Sequence, residues 1–400
     1  MTRRPRVLMI SPFASREATG EAFVAFRWAE MLAPHVDLTL MAFESPGHTP
    51  LARQAPGMRV LAEPLPEAVW RMGAVRRLAK PEWPIMMRRV RRHLAAEGDA
   101  YDLGHQVMPL GMRYPSPFRG GSLPYVIGPV GGALPTPPGL RGEMGRPSPK
   151  ERLRGLDEVR LRRDPWLRGS YAGAALVLGV APYARDRLVA ADLAPARFET
   201  VIELGIDGVA GPRRPVGDGR VRLLHVGRGV RTKGLRDVIR AMIRLDDPRL
   251  HLTSAGDGPE IAACRDEAER GGLGDRVRFL GLVPRAAVED LYATSDAFVF
   301  PSFREPTGNV VYEAMRWGLP IVAADYGGPA AILDDRCAVM VPPTDPEAFV
   351  AGIADGIRRI RDDPEAAAAM GERARAKVAA EGLWSAKAER VAALYRSVMP

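Results

Sequence analysis

Short apolar runs alternate with longer segments of helical periodicity along most of this 400-residue sequence. RVLMI at residues 6–10 predicts a buried strand, FVAFRWAEML at 23–32 an amphipathic helix, and VDLTLMAF at 36–43 a second strand. Further strands are predicted at 101–107, 123–129 and 174–180. Because strands and helices that alternate in this way form parallel sheets covered by helices, the pattern predicts an α/β fold.

A turn-rich segment at residues 203–219 interrupts the alternation, which then starts again with a predicted helix at 235–245. Strands of this second half are predicted at 220–227, 250–256, 277–283, 297–302 and 319–324. We therefore expect two doubly wound, Rossmann-like domains facing a central cleft, with ligands bound outside the carboxyl ends of the strands. The expected parts are an N-terminal domain 1–202, a linker 203–219, a C-terminal domain 220–382 and a last helix 383–400 that is free to cross back to the first domain.

Composition excludes several classes of protein. The hydrophobic fraction of 46% is ordinary for a globular chain, and no apolar run approaches the ~18 residues of a membrane-spanning helix. The apolar run after the basic N-terminus is too short for a signal peptide. The two cysteines, Cys264 and Cys337, provide no disulfide framework. We therefore expect a reduced, cytoplasmic protein.

Charge is distributed unevenly along the chain, whose formal net charge is +9. Residues 1–200 contain 29 Lys and Arg against 19 Asp and Glu, whereas residues 201–400 contain 28 against 29. Residues 71–98 alone carry eight positive charges, with Trp70 and Trp83 close by. This basic stretch is either a solvated helix face or a contact with anionic lipid at the inner face of a membrane, or with a phosphorylated acceptor. Nucleic acid is not expected, because the sequence contains no basic–aromatic nucleic-acid module.

Two loops of the second half have the composition of phosphate sites. HVGRGVRTKG at 225–234 follows a predicted strand, where Gly227 permits a sharp turn and Arg228 and Lys233 can each bind a phosphoryl oxygen. In SAGDGPE at 254–260, Gly256 allows the backbone to approach a ligand closely. Each loop alone is equally compatible with an ordinary basic surface loop or a simple turn.

The sequence EPTGNVVYE at 305–313 places one glutamate in a loop and a second in the helix that follows. That helix starts at Gly308 and Asn309, where unpaired N–H groups and the helix field favour a phosphate. Glu313 can then accept hydrogen bonds from ribose hydroxyls, and Glu305 from hydroxyls of a group beyond a diphosphate. Alternatively, Glu305 only complements the helix N-terminus and Glu313 pairs with a nearby arginine.

In order and spacing, these loops resemble the C-terminal domain of the family 4 retaining glycosyltransferases, which have the two-Rossmann GT-B fold and an E-x7-E motif. The resemblance is strong over residues 201–350. Before that, residues 11–23 resemble the glycine loop of the family's N-domain, and 199–208 resemble its interdomain segment. One departure is Ala331, where the family often has a glutamate.

The resemblance implies a role for each matching residue. Arg228 and Lys233 would hold the donor diphosphate, Glu313 the ribose and Glu305 the donor sugar, while His105 would point at that sugar. The catalytic set is thus Glu305, His105, Arg228 and Lys233. The other implied substrate-binding positions are Gly20, Gly227, Gly256, Leu282, Val283, Gly308, Asn309 and Val310, with the base near Leu282 and Val283. The Gly/Pro loop at 127–139 either lines the acceptor or donor sugar through Gly131 and Gly132 or is only a turn.

The implied reaction moves a sugar, a hexose by this resemblance, from a nucleoside diphosphate sugar to an acceptor hydroxyl with retention of configuration. We expect UDP rather than GDP as the carrier, and a glycan, a lipid-linked compound or a secondary metabolite as the acceptor, bound by the N-terminal domain. No cofactor is expected beyond this co-substrate. No metal is expected either, because the sequence contains no Asp-x-Asp motif.

Two other interpretations remain open at the sequence level. A related GT-B phosphorylase or synthase shares the fold, although no lysine lies in a context that suggests a pyridoxal phosphate Schiff base. A non-catalytic protein that binds nucleotide sugars is the other alternative. Turnover of any donor, including slow hydrolysis, would separate the last alternative from an enzyme.

Overall fold

The chain folds into two compact units that are interleaved in sequence. The structure, a computed structural model, describes residues 3–73, 75–76, 80–132, 134–145, 157–214 and 216–399. The first unit comprises residues 1–133, 148–204 and 384–400, and the second comprises 134–147 and 205–383.

The first unit is built on a seven-stranded parallel sheet with the strand order β3-β2-β1-β4-β5-β6-β7. Its strands are β1 (Arg6–Phe13), β2 (Asp37–Glu44), β3 (Arg59–Pro64), β4 (Leu103–Gln106), β5 (Tyr125–Val130), β6 (Leu176–Gly179) and β7 (Phe198–Thr200). Its first helices are α1 (Glu21–Leu32), α2 (Leu51–Gln54), α3 (Glu67–Arg71), α4 (Glu82–Glu97), α5 (Pro165–Ala172) and α6 (Pro182–Val189). Residues 157–163 are also helical, and Gly98–Ala100 form a 3-10 turn.

The central strand β1 shows why this sequence forms a buried sheet. Its residues alternate between two fully buried faces. Val7 and Met9 belong to the core that contains α1, whereas Leu8 and Ile10 belong to the core that contains α4. A strand that is covered on both faces consists of a continuous run of apolar residues. This is why the apolar sequence RVLMI predicts β1.

The second unit is built on a six-stranded parallel sheet with the order β10-β9-β8-β11-β12-β13. The strands are β8 (Val221–Val226), β9 (Leu250–Ala255), β10 (Val277–Phe279), β11 (Ala297–Phe300), β12 (Ile321–Ala324) and β13 (Val339–Val341). The helices are α7 (Leu235–Leu245), α8 (Ile261–Arg270), α9 (Arg285–Thr294), α10 (Asn309–Arg316), α11 (Gly327–Ile332), α12 (Pro346–Asp362) and α13 (Pro364–Glu381), with 3-10 turns at Pro138–Met144, Arg231–Lys233 and Gly274–Arg276. The prediction of two doubly wound sheets is confirmed.

The last helix, α14 (Trp384–Val398), belongs to the first unit. The Trp384 ring meets the Trp28 ring edge to face at a centroid distance of 5.5 Å. Lys387, which is 5% exposed, donates from Nζ to the carbonyl of Ile202 at 3.0 Å. The helix thereby binds the carbonyl groups at the point where the chain leaves this unit. No helix among the described residues is long and apolar enough to cross a membrane.

Two parts of the chain differ from the predicted division. Residues 134–147 fall in the predicted N-terminal domain but belong to the second unit. Leu140 is fully buried in that unit's core, and the backbone of Gly139 lies so close to Thr344 that a Cβ would stand 1.5 Å from the Thr344 carbonyl oxygen. From residue 205 onward the predicted linker 203–219 also belongs to the second unit, where the Ala210 N–H donates to the Arg316 carbonyl at 3.0 Å.

Candidate functional site

The candidate site of the second unit lies at the point where the strand order reverses, between β8 and β11. In doubly wound sheets this switch point leaves a crevice outside the carboxyl ends of the strands, where ligands bind. The loops that follow β8, β9 and β11 carry the residues singled out by the sequence.

Glycines let the loops after β8 and β9 lie backbone against backbone. The Gly227 N–H donates to the Ala255 carbonyl at 3.0 Å, and a Cβ on Gly256 would stand only 1.9 Å from the Gly227 carbonyl oxygen. Gly258 faces Gly229 in the same way, with a Cβ distance of 2.4 Å to the carbonyl oxygen. In this structure Gly256 permits a close approach to the neighbouring loop, and its contact with a ligand stays a prediction.

Lys233 and Glu305 form an ion pair within the site. Lys233 is 8% exposed, and its Nζ also lies 5.5 Å from the centre of the Phe300 ring. Gly234, with a φ of +78°, brings the lysine turn against β11, since a Cβ there would stand 2.3 Å from the Pro301 carbonyl oxygen. An ammonium group has three N–H donors, so the pair leaves Lys233 able to bind an anion.

The backbone around Glu305 is also fixed. Its carbonyl accepts from the Gly328 N–H at 2.8 Å, and its side chain accepts from the Thr307 N–H at 3.4 Å. A Cβ on Gly328 would stand 2.2 Å from the Thr307 carbonyl oxygen, so only glycine allows α11 to approach this loop. The Glu305 backbone is thus fixed by α11, and its carboxylate is oriented by Lys233 and by the Thr307 N–H.

Arg228 and the start of α10 complete the cationic side of the site. Arg228 is exposed, and its guanidinium has no hydrogen-bond or ion-pair partner within the described ranges. Gly308, with φ +89°, starts α10 with no side-chain cap, so the N–H groups of Asn309 and Val310 lie in the first turn of the helix. Uncapped N–H groups and the field of the helix attract anions.

Glu313 is held by three donors. It is 5% exposed and accepts from Asn309 Nδ2 at 3.0 Å, Tyr292 Oη at 3.2 Å and an Arg285 guanidinium nitrogen at 3.1 Å. The four-residue spacing anticipates the Asn309 contact, and the alternative of an arginine partner is also realised. Burial, and then Glu313, raise the pKa of Tyr292 well above its ordinary value. Glu313 is a fixed acceptor.

The loop after β8 contains a second arginine whose role sequence analysis missed. Arg231 is 9% exposed and binds both Asp237 oxygens at 2.6 and 2.7 Å, and Glu143 at 2.7 Å. Its guanidinium also lies 5.3 Å from the Phe303 ring centre. Asp237 and Glu143 keep the pKa of Arg231 above its ordinary value despite burial. Arg231 anchors the loop, and no sequence signal links it to Glu143, which lies 88 positions away.

The segment expected near a nucleotide base follows β10. Leu282 is 84% exposed and Val283 is half-buried, and Gly281 precedes them with a φ of +67°. The Gly256 N–H donates to the Gly281 carbonyl at 2.8 Å, which places this segment beside the end of β9. Such an exposed leucine leaves an apolar surface that a flat ring can cover.

The first unit holds the other glycines singled out by the sequence. Gly20, with φ +65°, precedes α1 at the carboxyl end of β1. Gly131 and Gly132 follow β5. A Cβ on Gly131 would stand 2.6 Å from a Val180 methyl group, and the Gly132 N–H donates to Tyr183 Oη at 3.2 Å. These contacts fix the loop without showing what it binds.

The expectation that His105 points at a donor sugar is wrong. His105 lies within β4, opposite Met9 and Val126, and is fully buried. Its Nε2 donates to the Gly128 carbonyl at 2.5 Å, so its Nδ1 accepts from Tyr395 Oη, also at 2.5 Å. Both ring nitrogens are used in the core. The prediction was wrong because β4 extends through His105 to Gln106 instead of ending before His105.

Two buried histidines predict that stability falls in mild acid. Burial lowers the pKa of His105 and of His225 to about 4, against about 6.5 in an unfolded chain. Between these values the unfolded state binds more protons, so stability is complete above pH 6.5 and is lost as pH falls toward 4. We expect each unit to lose roughly 2 kcal/mol between pH 7 and pH 5.

Urea-induced unfolding at the two pH values measures this loss. His105→Gln and His225→Gln should each reduce the pH dependence. Equal stability of the wild-type chain at pH 7 and pH 5 would contradict the assignment of neutral buried imidazoles.

Within the part of the chain that the structure describes, no three His, Cys, Asp or Glu side chains are grouped in a way that could hold a metal ion. The charges of the site in the second unit are Arg228, Lys233, Glu305 and Glu313. Their arrangement can bind an anionic group on the cations and hydroxyl-bearing groups on the carboxylates.

Comparisons with known proteins agree with this geometry. The family model of glycosyl transferases group 1 matches residues 213–377. Glycogen synthase of Mycobacterium tuberculosis is 35% identical over 202 residues, which is 49% of this chain and 48% of the relative. The chain thus spans about half the length of the curated relatives it matches.

Solved structures match over the whole chain. Sucrose-phosphate synthase of Thermosynechococcus elongatus has a TM-score of 0.65 at 21% identity, covering 99% of both chains. Anabaena Alr3699/HepE, solved with UDP and glucose, has a TM-score of 0.62 at 19% identity, covering 98% of this chain and all of the other. Residues 213–377 are thus similar to glycosyl transferases group 1, in agreement with the sequence resemblance, and the whole chain has the fold of these two solved structures.

Proposed function

We propose that the chain is a retaining glycosyltransferase that moves a hexose from a nucleoside diphosphate sugar to an acceptor hydroxyl. The observation that carries the proposal is the Lys233–Glu305 ion pair, set between the loop of Arg228 and the uncapped start of α10. In this proposal Lys233 binds the diphosphate and the adjacent Glu305 binds the sugar, at the switch point of the second sheet.

In this proposal the diphosphate, the ribose and the transferred sugar of the donor each bind a different group of the protein. Arg228, Lys233 and the N–H groups of α10 counter the diphosphate and stabilise it as it leaves. Glu313, already held by three donors, accepts from the ribose hydroxyls. Glu305 accepts from hydroxyls of the transferred sugar. The acceptor hydroxyl attacks the anomeric carbon on the face from which the diphosphate leaves, and the departing phosphate takes its proton, so retention requires no protein nucleophile. The two cations and the α10 N–H groups counter the phosphate charge in place of a metal.

We take the carrier to be UDP, which is present in the solved structure of Anabaena Alr3699/HepE. Thermal-shift measurements with UDP, GDP and ADP, followed by UDP release from UDP-glucose in the presence of EDTA, test the proposal. A shift with UDP and metal-independent release are expected. Binding without any turnover would favour the non-catalytic alternative, and binding of no nucleotide would contradict the donor site.

A surface of the first unit favours a second proposal, contact with an anionic membrane on the cytoplasmic side. We define the α4 surface as Arg88, Arg91, Arg92 and Trp166. Arg88 and Arg92 are exposed and have no ion-pair partner among the described residues, and Trp166 is 48% exposed. The Arg91 guanidinium lies 5.2 Å from the Trp166 ring centre. Unpaired arginines around an exposed tryptophan suit a membrane interface.

Not all of the basic stretch 71–98 contributes to the α4 surface. Arg89 points inward and donates to the carbonyls of Ala42 and Leu61 at 2.8 and 2.9 Å. Arg71 pairs with Glu67, and residues 74 and 77–79 lie outside the described ranges. The contact is therefore assigned to three arginines and one tryptophan instead of to all eight charges.

Vesicle flotation tests the membrane contact. At ~1 kcal/mol for each basic residue near an anionic surface, the double variant Arg88→Ala, Arg92→Ala should bind phosphatidylglycerol vesicles about 30-fold more weakly. The matched control Arg214→Ala, Arg244→Ala removes two exposed arginines of the second unit and should bind normally. Recovery of the wild-type chain only in the soluble fraction at low salt would exclude the contact.

A further inference from the structure

A segment that lies between β5 and β6 in sequence packs on the loops of the candidate site. We define the strap as residues 134–144, which belong to the second unit although β5 and β6 belong to the first. The strap contacts the loops that follow β8, β11, β12 and β13. Because the carboxyl ends of these parallel strands lie at one edge of the sheet, the strap borders the candidate site from within the second unit.

The first part of the strap packs against the loop that carries Glu305. Leu134 is 4% exposed. A Cβ on Gly327, which has a φ of +64°, would stand 2.5 Å both from a Leu134 methyl carbon and from the Glu305 carbonyl oxygen. Tyr326 Oη donates to the Pro135 carbonyl at 3.1 Å. A glycine at the start of α11 therefore lets the strap and the Glu305 loop meet at the same point.

The last part of the strap binds the loop that carries Arg228 and Lys233. Glu143 Oε2 accepts from Arg231 Nε at 3.1 Å and from a terminal nitrogen of the same guanidinium at 2.7 Å. Asp237 of α7 binds that guanidinium as well. Burial raises the pKa of Glu143, but the hydrogen bonds and charge of Arg231 outweigh this effect and hold the pKa below its ordinary value. Arg231 is thus fixed between two ionised carboxylates, one on the strap and one on α7.

The middle of the strap is fixed independently of Glu143. Leu140 is fully buried in the core of the second unit, and its N–H donates to the Pro137 carbonyl at 3.0 Å. Gly139 lies directly against the Thr344 carbonyl. Because these contacts hold the strap in place, Glu143 is a fixed partner for Arg231, and a substitution of Glu143 leaves the docking of the strap core intact.

We propose that Glu143 is a positioning residue of the donor site. By fixing Arg231 between the strap and α7, it holds Arg228 and Lys233 where they bind the diphosphate. The inference rests on the proposed glycosyltransferase function and names the segment that positions its donor loop. Without the Glu143 charge, Arg231 keeps Asp237 as its carboxylate partner, and the loop is fixed from one side. A smaller fraction of molecules then has both cations in place, and the apparent affinity for the donor falls with that fraction.

Positioning and simple electrostatics predict opposite effects of Glu143→Gln. The substitution removes a negative charge near the cations of the site, so electrostatics alone would strengthen the binding of an anion such as UDP. Positioning predicts weaker binding instead. We expect the Kd for UDP and the KM for UDP-glucose each to rise about 5- to 10-fold. The kcat should stay within about twofold, because a saturating donor selects the molecules with a competent loop. Isothermal titration and steady-state kinetics measure these values.

UDP binding should in turn stabilise the strap, because coupling between two parts of a protein is reciprocal. Hydrogen exchange measured by mass spectrometry on peptides that cover 134–144 detects this effect. UDP should slow the exchange of these peptides in the wild-type chain, and should slow it less in Glu143→Gln. A purely structural contact would lower Tm when removed but would give the strap no response to UDP.

The matched control is Glu267→Gln. The side chains of Glu143 and Glu267 are 23% and 21% exposed, and Glu267 pairs with Arg240 at 3.1 Å, outside the loop of Arg231. In this control the Kd for UDP and the KM for UDP-glucose should stay within about twofold of the wild-type values. Three results would overturn the inference: an unchanged or lower Kd in Glu143→Gln, an equal rise in the control, or no protection of the strap by UDP.

The inference and the proposed function fail separately in this design. If the wild-type chain binds UDP and Glu143→Gln binds it equally well, only the positioning role is lost and the donor site stands. If the wild-type chain binds no nucleotide, the donor site is contradicted and the positioning role is lost with it.

Discussion

Replacing Lys233 by alanine is expected to weaken UDP binding by about 100-fold. The lost charge-assisted hydrogen bond to a phosphate contributes roughly 1.5–3 kcal/mol. The substitution also leaves the Glu305 carboxylate, 13% exposed, without its cation and close to the bound anion. Both effects act in the same direction. Isothermal titration of UDP into the wild-type and variant chains measures the change.

Lys377→Ala is the matched control for this prediction. Lys377 is a partly buried lysine of the same unit, and its Nζ pairs with Asp334 at 2.8 Å. Its removal alters a comparable ion pair away from the loops of the site, so the affinity for UDP should stay within about twofold. Equal loss of affinity in both variants would indicate general destabilisation of the unit instead of a contact with the diphosphate.

Replacing Glu305 by glutamine is expected to separate turnover from nucleotide binding. The neutral amide releases Lys233 and removes a negative charge near the phosphates, so the Kd for UDP should be unchanged or lower. The amide is a weaker acceptor for the hydroxyls of the transferred sugar, whose charge-assisted hydrogen bond is worth roughly 1.5–3 kcal/mol. We therefore expect kcat with UDP-glucose to fall about 10- to 100-fold.

The control for this variant is Glu267→Gln. Glu267 is a partly buried glutamate of the second unit that pairs with Arg240 at 3.1 Å, outside the loops of the site. Its kcat should match the wild-type value. If Glu305→Gln had the wild-type kcat, this carboxylate would take no part in the chemistry and would only position Lys233.

The architecture was predictable because parallel strands buried on both faces are continuous apolar runs. The helix predicted at 235–245 has the bounds of α7, and β9 (Leu250–Ala255) ends one residue before its predicted end. The assignment of 134–147 to the second unit could not be predicted. It depends on the approach of Gly139 to Thr344 and on the burial of Leu140, which are long-range contacts without a local pattern.

The candidate site was predictable in its composition but not in its internal contacts. The sequence identifies Lys233, Glu305 and Glu313 as candidate residues. It does not show that Arg231 is used to anchor the loop while Arg228 stays exposed, because the partner Glu143 lies far upstream. The prediction for His105 was wrong for a related reason, because its partner Tyr395 lies 290 positions away.

The structure also changes the interpretation of the glutamate pair. The arginine contact considered for Glu313 is present, and its binding of ribose hydroxyls stays a prediction, because a buried carboxylate can accept from Arg285 and Tyr292 and still be held toward the start of α10. The ion pair with Lys233 likewise gives Glu305 a structural partner without removing it from a ligand-binding role. In both cases the contacts orient a carboxylate that would otherwise be costly to bury.

The central claim is that the second unit binds a nucleoside diphosphate through Arg228, Lys233 and the start of α10. A crystal structure of the chain with UDP tests it most directly. We predict that the diphosphate oxygens lie within hydrogen-bond distance of both cations and of the α10 N–H groups, with the ribose hydroxyls on Glu313. A diphosphate bound elsewhere, with Lys233 still paired only with Glu305, would contradict the account.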